Sequence, residues 1–367
     1  MSKKFRGNLI TYGIAVVAFL VCQVALNGWI PGFTLTNALQ GQLIPICVYI
    51  VMAVSLNLTV GISGELSLGH AGFMCVGAFA GIITSAWLVS AFQLENELVR
   101  LIIALIVGGV IAGVAGVLIG IPVLRLRGDY LAIVTLAFGE IIRNVLNCLY
   151  FSVEGKALHV SFNNPSLPGQ IIYNGPAGSN NIDTISTFTM GFVLVMVTLF
   201  VVLNLVNSRS GRAIMAIRDS RIAAESVGLK VTKYKMMAFV TSAVLAGMAG
   251  ALYGLSLPTA TAAKFKFDTS ILVLVFVVLG GIGSIRGSMV AAAALTLLPE
   301  LLRSFSNYRM LVYAIVLIAV MLATNSPIVK NLWARIMQLK FMQQLAERLG
   351  KWKAKIFRRP GKAGDAA

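Results

Sequence analysis

The sequence has few charged residues for its length. Asp, Glu, Lys and Arg make up 12% of its 367 residues, whereas a typical soluble domain carries roughly 25%. With 58% hydrophobic residues, the chain is neither an ordinary cytosolic enzyme nor disordered, because disorder requires low hydrophobicity and high charge. The composition instead predicts a membrane protein that crosses the bilayer several times, with ~20 residues in each crossing.

Residues that usually carry out chemistry are also scarce. The sequence has two histidines, His70 and His159, and no G-x-x-x-x-G-K-[ST] motif for binding nucleotide phosphates. Its four cysteines lie in apolar runs without metal-ligand or disulfide spacing, so we interpret them as small buried hydrophobic residues. We therefore expect no catalytic site, no metal and no cofactor bound by this chain.

Acidic residues are outnumbered by basic ones, 13 against 30, and the basic residues cluster between the apolar runs. In a soluble protein the net charge of +17 would suggest nucleic-acid binding. Here the clusters are typical of membrane topology signals and of contacts with lipid or partner proteins. We expect no nucleic acid among the partners.

Long apolar runs are the main feature that the sequence does contain. They predict an all-α polytopic membrane protein with about ten transmembrane helices, within a range of eight to ten. The candidate helices are Leu9–Leu26, Leu43–Val60, Ala71–Ala91, Val99–Ile121, Tyr130–Phe151, Phe188–Val206, Met236–Leu257, Ile271–Leu279, Met289–Leu302 and Met310–Thr324. The runs Ile271–Leu279 and Met289–Leu302 are short and flank a glycine-rich turn, so they either cross twice or form a re-entrant pair.

Basic residues near the ends of the runs predict the orientation and the domain limits. Residues 1–8 are expected in the cytoplasm and residues 9–325 in the membrane domain, which has a basic cytoplasmic loop at 207–235 and a polar outer loop at 152–187. Residues 326–367 combine a helical apolar pattern with many cations. This pattern predicts an amphipathic cytoplasmic tail on anionic lipid, with a specific protein contact as the alternative. Both termini are then inside.

The apolar region is interrupted at residues 61–73 by glycines, hydroxyls, a carboxylate and an imidazole. Irregular backbone at membrane depth survives only when it is buried in protein or faces a water-filled cavity. We therefore predict a non-helical break beside a solute path, with a plain turn between helices as the alternative. The expected path residues are Ser63, Gly64, Ser67, Gly69 and His70. We interpret His70 mainly as a hydrogen-bonding residue at a helix start.

The run Tyr130–Phe151 carries a set of polar residues at helical spacing, which predicts that they share one face. These residues are Glu140, Arg143, Asn144, Asn147 and Tyr150. Ionisable groups within a membrane usually face the interior of a bundle. Glu140 and Asn144 are therefore candidate path residues, and an internal ion pair from Glu140 to Arg143 that fixes helix packing is the alternative.

The basic loop between Ser210 and Gly228 combines arginines with small residues, which allow a partner to approach closely. It is expected to form two short elements on the cytoplasmic side. The candidate contact residues are Gly211, Arg212, Arg218, Ala223, Ala224 and Gly228.

Four segments, in this order, resemble the signatures of branched-chain amino-acid ABC permeases of the LivM type. They are Gly61–Ala78, Gly128–Arg143, the loop from Gly211 through Gly228 to Phe239, and Gly280–Ser284 with Pro299, Glu300 and Arg303. The resemblance covers roughly residues 43–325. The sequence departs from the general importer loop pattern at Ile222, where that pattern has Glu, and the outer loop 152–187 is less recognisable.

The resemblance implies a permease subunit that carries Leu, Ile or Val across the cytoplasmic membrane of a prokaryote by alternating access. The implied partners are a homologous LivH-type permease, two cytoplasmic ATPase subunits that use the ATP, an extracytoplasmic substrate-binding protein and membrane lipids. The implied role of the loop 211–228 is to receive the motion of the ATPases. The alternatives are a permease for urea or short-chain amides and, in a different class, a stand-alone secondary transporter.

Overall fold

The computed structural model describes most of the chain. The described residues are 3–26, 37–126, 128–163, 167–303 and 308–325. The predicted tail at 326–367 lies outside them. The last helix, Arg309–Asn325, belongs to a unit separate from the rest of the chain and is described by itself.

Helices dominate the described residues, as the apolar runs predict. The helices are α1 (Lys3–Leu26), α2 (Asn37–Asn57), α3 (His70–Phe92), α4 (Glu97–Val123), α5 (Asp129–Asn147), α6 (Phe188–Asn207), α7 (Arg209–Asp219), α8 (Arg221–Ser226), α9 (Val231–Gly254), α10 (Phe267–Gly280), α11 (Ile285–Leu301) and α12 (Arg309–Asn325). A π-helical turn, Leu58–Ile62, follows α2, and 3-10 turns occupy Gly175–Ala177 and Ala262–Phe265.

Six helical stretches in the described part of the chain are long and apolar enough to cross a membrane. They are Leu39–Ile62, His70–Phe92, Glu97–Val123, Tyr130–Asn147, Phe188–Asn207 and Val231–Gly254. Thr11–Leu26 and Phe267–Gly280 are apolar but shorter. A helical protein that passes the membrane several times is thereby confirmed, whereas the number of ten crossings does not follow from helix length and composition.

Hydroxyl and amide side chains mark the starts of several helices. Asn96 accepts hydrogen bonds from the backbone at the start of α4, and Thr187 does so at the start of α6. Ser208, Ser220 and Ser284 cap α7, α8 and α11 in the same way. Each cap satisfies N–H groups that the first turn of a helix leaves without a partner. These helices therefore begin directly after an Asn, Ser or Thr residue.

The centre of the bundle is formed by α3, α4 and α9, which approach one another through small residues. A Cβ added to Gly77 would lie 2.0 Å from the carbonyl oxygen of Gly247, and one added to Gly250 would lie 2.0 Å from that of Met74. Backbone contact of this kind is the usual way in which membrane helices pack tightly. The abundance of glycine thus determines how closely these helices approach.

The all-α prediction is wrong for the segment after α5. The run Tyr130–Phe151 is helical only to Asn147, and its end holds Tyr150 and Phe151, aromatic residues that favour strands. The strands β1 (Leu149–Glu154), β2 (Ala157–Phe162) and β3 (Gln170–Asn174) form an antiparallel sheet in the order β2-β1-β3. β4 (Ser179–Asn180) pairs with β5 (Thr259–Ala260).

This sheet is attached to the bundle through α3. Trp87 Nε1 donates to the carbonyl oxygen of Lys156 at 3.1 Å, and Ser90 Oγ donates to that of Gly155 at 3.0 Å. Tyr173 on β3 is 1% exposed and packs against Phe79 of α3, with ring centroids 4.6 Å apart. Burial raises the pKa of Tyr173. The described residues of the predicted outer loop therefore pack against α3.

The short helices α10 and α11 are joined by a glycine-rich turn, and Ser270 Oγ near the start of α10 accepts a hydrogen bond from Ala71 N at the start of α3. The segment before α10 holds β5, which pairs with β4 at the end of the bundle that carries the sheet. The turn after α10 places Gly283 beside Gly61 at the opposite end, where its N–H donates to Asn57. After this turn, α11 packs back along α10 and α2.

Candidate functional site

The predicted break in the first apolar motif is present. α2 passes into the π-helical turn Leu58–Ile62, residues 63–69 are non-helical, and α3 begins at His70. Gly64 has a φ of +76°, a conformation that side-chain-bearing residues rarely adopt. π-helical turns inside helices occur frequently at functional sites, which makes this segment the natural centre for the site.

Most polar groups of the break are buried and hydrogen-bonded. Ser63 and His70 are 3% and 2% exposed. His70 Nε2 shares a hydrogen bond of 2.8 Å with Ser55 Oγ, in agreement with the interpretation of His70 as a hydrogen-bonding residue at a helix start. Ser67 is 2% exposed, and its Oγ is buried without a hydrogen-bond partner among the described residues. The hydroxyl of Ser67 is therefore available to another group.

The break packs directly on α5. Leu68 N donates to Thr135 Oγ1 at 3.0 Å, and a Cβ on Gly69 would lie 2.1 Å from the carbonyl oxygen of Thr135. Gly139, one turn further along α5, also faces Gly69. The first two sequence motifs therefore form one packed unit, in which the backbone of the break lies against the backbone of α5.

The predicted ion pair on α5 is formed. Arg143 Nη2 lies 2.7 Å from Glu140 Oε2, and the two side chains are 20% and 32% exposed. Glu140 borders a narrow cleft of about 10 Å³ that it shares with Leu68 of the break. Asn144, one turn further, is exposed. The sequence-based placement of Tyr150 on this face is wrong, because Tyr150 lies in β1 after the helix has ended.

α5 is also the least covered of the six spanning stretches. Only 17% of its residues are buried, against 39% to 72% of the most apolar 18 residues in each of the others. A helix that carries an ion pair and an exposed amide is poorly suited to face lipid. The exposed side of α5 is therefore suited to contact another protein or an aqueous path.

Three motifs meet where the break follows α2. Arg218 Nη1 of α7 donates to the carbonyl oxygen of Gly61 at 2.9 Å. Asn57 Oδ1 accepts from Gly283 N at 2.9 Å, and Asn57 Nδ2 donates to Ser288 Oγ at the same distance. We call the set Asn57, Gly61, Arg218 and Gly283 the junction. It joins the break, the basic loop and the late glycine motif.

The junction has no room for a side chain at its centre. A Cβ on Gly61 would lie 1.9 Å from Asn57 Oδ1 and 2.3 Å from Gly283 N. Sequence reasoning identified the three motifs but missed Asn57, whose signal is an amide side chain at the end of an apolar run. It also missed the salt bridge between Lys235 and Glu65, side chains that are 13% and 12% exposed and that join the break to α9.

The six candidate contact residues of the basic loop divide into two groups. Gly211 and Ala224 are buried, and a Cβ on Gly211 would lie 2.2 Å from the carbonyl oxygen of Leu205, so these two fix the fold of the loop and offer no surface. The residues that are exposed are Arg212, Arg218, Ala223 and Gly228. Arg218 nevertheless also points to the break.

Two exposed apolar side chains beside this loop surface were missed. Ile222 and Val227 are 83% and 74% exposed on and just after α8. They flank Ala223 and Gly228, and nothing lies within 4 Å of a Cβ built on Gly228. Exposed apolar residues grouped with small ones are typical of a contact surface for a protein partner. We call Ile222, Ala223, Val227 and Gly228 the α8 surface.

The predicted path residues are thus not all gathered in one place. Ser63 and Gly64 line a cavity of about 350 Å³ together with Arg218 and Lys235, between the break and the basic loop. Glu140 lies at the cleft on the other side of the break. The break is the element that both groups share.

Comparison with known proteins identifies the family of the chain. A family described as "Branched-chain amino acid transport system / permease component" matches residues 39–321. The high-affinity branched-chain amino acid transport system permease protein LivM of Escherichia coli K12 is 34% identical over 332 residues, which are 86% of this chain and 74% of the relative. LivM of Salmonella typhimurium is 35% identical over 291 residues, 75% of this chain and 66% of the relative.

More distant relatives include the ribose import permease protein RbsC of Escherichia coli K12, which is 28% identical over 326 residues, 85% of this chain and 92% of the relative. No solved structure matches the chain. The family match extends from α2 into α12 and includes the break, the polar face of α5, the basic loop and the late glycine motif. The chain is therefore a multi-pass membrane protein that belongs to the branched-chain amino acid transport system permease family.

Proposed function

We propose that this chain is the permease subunit of an ABC importer that carries Leu, Ile or Val across the cytoplasmic membrane of a prokaryote. Membership of the family and the names of the two LivM relatives support this assignment. Neither a urea or amide permease nor a stand-alone secondary transporter receives support from these comparisons. ATP is used by the partner ATPases and not by this chain.

The observation that carries the proposed coupling to the ATPases is the hydrogen bond from Arg218 to the carbonyl oxygen of Gly61. The α8 surface receives an ATPase subunit in the cytoplasm. When that subunit moves, α7 moves with it, and Arg218 transmits the displacement to the junction. Because the break presses on α5 at Gly69 and Thr135, the same displacement reaches the helix that carries Glu140.

A branched-chain amino acid has two charged groups and an apolar tail, so its charges must exchange water for other partners on the way across. The hydroxyls of Ser63 and Ser67 and the backbone N–H groups of Gly64 and Gly69 provide such partners. Weak binding suits a path, and each neutral hydrogen bond contributes only about 0.5–1.5 kcal/mol. The Glu140–Arg143 pair provides a wall that is polar but carries no net charge.

The exposed face of α5 points to the homologous LivH-type permease, so the path lies between the two subunits. The basic residues around α7 and α8 favour the cytoplasm for that end of the bundle, and the β-sheet end then faces the extracytoplasmic binding protein. α1 to α6 and α9 to α12 make ten passages, which puts both termini inside. When the junction moves between two positions, the path opens in turn to one side of the membrane and to the other, which is alternating access.

Leucine uptake by the whole importer, reconstituted in proteoliposomes with its ATPase subunits and binding protein, tests the proposal. Arg218→Ala is expected to reduce uptake at least about tenfold, since it removes a charge-assisted hydrogen bond of ~1.5–3 kcal/mol, while the ATPase subunits still co-purify. Arg218→Lys should restore part of the uptake. Arg221→Ala is the matched control, because Arg221 pairs with Glu225 of the same short helix at 2.8 Å.

Wild-type uptake by Arg218→Ala would contradict transmission through the junction. Transport of radiolabelled urea without transport of leucine by the wild-type complex would contradict the proposed substrate. Loss of the ATPase subunits from purified wild-type complex would contradict the importer assignment itself.

A further inference from the structure

A second cavity lies away from the break, between α1, α2, α6 and α11. Its volume is about 430 Å³, within the range of small-molecule sites, and all its lining side chains are aliphatic or aromatic or belong to Met or Cys. Along α2 it extends from Leu39 to Ile50, which is ~16 Å at ~1.5 Å per residue. That length matches one leaflet of a bilayer whose hydrocarbon core is ~30 Å thick.

The cavity opens to the surface through a seam between α1 and α11. Ile14 and Ala18, one turn apart on α1, are exposed, and so are Val290 and Ala294, one turn apart on α11. The alanines leave space because their side chains are too short to close the seam. An apolar space does not attract water, and protein interiors rarely leave voids this large empty. The bilayer provides apolar chains at the seam.

A cation lies at one end of this cavity. Arg286 precedes Met289 and Val290 of the lining by one helical turn, and its Nε donates to Thr11 Oγ1 at 2.7 Å. Thr11 in turn precedes Ile14 by one turn on α1. Residues three or four apart share a helix face, so the guanidinium lies at the end of α11 nearest the junction, in line with the cavity.

We propose that this cavity binds one acyl chain of an anionic phospholipid whose phosphate lies against Arg286. The apolar lining accepts the chain, and a guanidinium matches the geometry and charge of a phosphate. A head group with net negative charge is favoured over a zwitterionic one, because the ammonium group of a zwitterionic head would be repelled by the guanidinium of Arg286. The lipid then acts as a wedge between α1 and α11. The site does not depend on the proposed transport function.

Photolabelling of the purified full-length chain and its co-purifying subunits in nanodiscs tests the site. The probe is phosphatidylglycerol with a photoactivatable group on its acyl chain, and the labelled peptides are identified by mass spectrometry. The label is expected in α1 and α11. Ala293→Phe fills the cavity and should reduce the labelling about fivefold or more, since added volume excludes the chain. Val114→Phe is the matched control, on a side of α4 where Val114 is 56% exposed.

Arg286→Gln tests the head group. It is expected to reduce labelling by phosphatidylglycerol roughly tenfold, as befits loss of a charge-assisted contact, and to leave labelling by a phosphatidylcholine probe unchanged. Equal labelling of the wild type by both probes would overturn the assignment of the head group to Arg286. Labelling that is spread evenly over exposed helices would overturn the cavity.

A competition experiment on the wild-type protein tests the site even if the Ala293→Phe variant does not fold. Unlabelled phosphatidylglycerol should displace the probe from α1 and α11 of the wild type, and unlabelled phosphatidylcholine should displace it less. Failure of phosphatidylglycerol to compete means that no saturable site exists, and the proposal is then wrong.

Discussion

At the scale of single residues, glycine positions in this chain are occupied by backbone from other elements. Gly61 lies against Asn57 and Gly283, and Gly69 lies against Thr135, with less than 2.5 Å from an added Cβ to the nearest atom in each case. Such a contact cannot be relieved by turning a side chain, because backbone atoms are part of it. These two glycines therefore determine how the break is held, independently of any solute that passes.

Substitution at Gly69 should consequently cost more than loss of a neighbouring hydroxyl. Gly69→Val is expected to abolish leucine uptake, because its Cβ would lie 2.1 Å from the carbonyl oxygen of Thr135. Ser67→Ala should reduce uptake by no more than about tenfold, since a single neutral hydrogen bond contributes ~0.5–1.5 kcal/mol. Uptake at matched membrane levels measures both.

Gly41→Ala is the control, because nothing lies within 4 Å of its added Cβ, and alanine in a helix is favoured over glycine by about 1 kcal/mol. If Ser67→Ala abolished transport while Gly69→Val had no effect, the side chain would matter and the backbone contact would not.

At the scale of elements, the small β-sheet and the pair α7 and α8 are both tightly packed. Each also has one unusual feature, a buried hydroxyl without a hydrogen-bond partner among the described residues in the sheet and exposed apolar side chains on and just after α8. The sheet buries Tyr173, whose hydroxyl has no hydrogen-bond partner among the described residues. The pair α7 and α8 buries Gly211 and Ala224 while it exposes Ile222 and Val227. In both elements the buried residues maintain the fold. The Tyr173 hydroxyl and the α8 surface can therefore be tested by separate substitutions.

Tyr173→Phe is expected to leave thermal stability unchanged or to raise the free energy of unfolding by up to about 1 kcal/mol, because it removes a buried hydroxyl without a partner. Ser152→Ala on the neighbouring strand provides the contrast. Ser152 Oγ donates to the carbonyl oxygen of Pro168 at 2.7 Å, so its loss should lower stability by ~1 kcal/mol. Thermal unfolding of both purified variants measures these two changes in stability. A large loss with Tyr173→Phe would mean that the hydroxyl has a partner outside the described residues.

Gly228→Arg should leave the protein in the membrane but uncouple ATP hydrolysis from uptake, because bulk on the α8 surface blocks the close approach of an ATPase subunit. Gly228 has a φ of +81°, so any side chain there also strains the backbone. Gly228→Ala separates the two effects, since it carries the strain with little bulk. Uptake and co-purification of the ATPase subunits are the measurements. Normal uptake by Gly228→Arg at wild-type levels argues against docking at this surface.

At the scale of the whole molecule, the arrangement separates two ends. One end holds the junction and the α8 surface, and the other holds the sheet. The proposed topology puts the first end in the cytoplasm, because the arginines of α7 and α8 lie there and basic residues are enriched in cytoplasmic loops. The seam between α1 and α11 opens sideways between these ends.

Reporter fusions give a direct test of this orientation. Alkaline phosphatase, which folds only outside the cytoplasm, is expected to be active when fused after Gly155 and inactive when fused after Ser226. The matched fusion of a fluorescent protein that matures in the cytoplasm should give the reverse pattern. Activity of the phosphatase at Ser226 would invert the proposed topology.

Apolar runs and glycine-rich motifs in the sequence predict most of the helices, the break and the two short elements of the basic loop. Local patterns carry that information, because helix periodicity and caps act over a few residues. The contacts of Arg218 with Gly61 and of Lys235 with Glu65 join residues about 160 to 170 positions apart. No local pattern specifies such pairs. The first half of β1, Leu149–Phe151, was assigned to the preceding helix because a short apolar run fits either structure.

The shortness of α10 has an electrical consequence. Its 14 residues span ~21 Å at ~1.5 Å per residue, against a hydrocarbon core of ~30 Å. If water reaches both ends of that helix, the membrane voltage falls over a shorter distance there than in the surrounding bilayer, and the local field is steeper by roughly half. A solute without net charge gains no electrical energy by crossing the membrane voltage, but the field favours one orientation of its dipole. The voltage across the cell membrane would then help to orient an amino acid on this path without driving it in either direction.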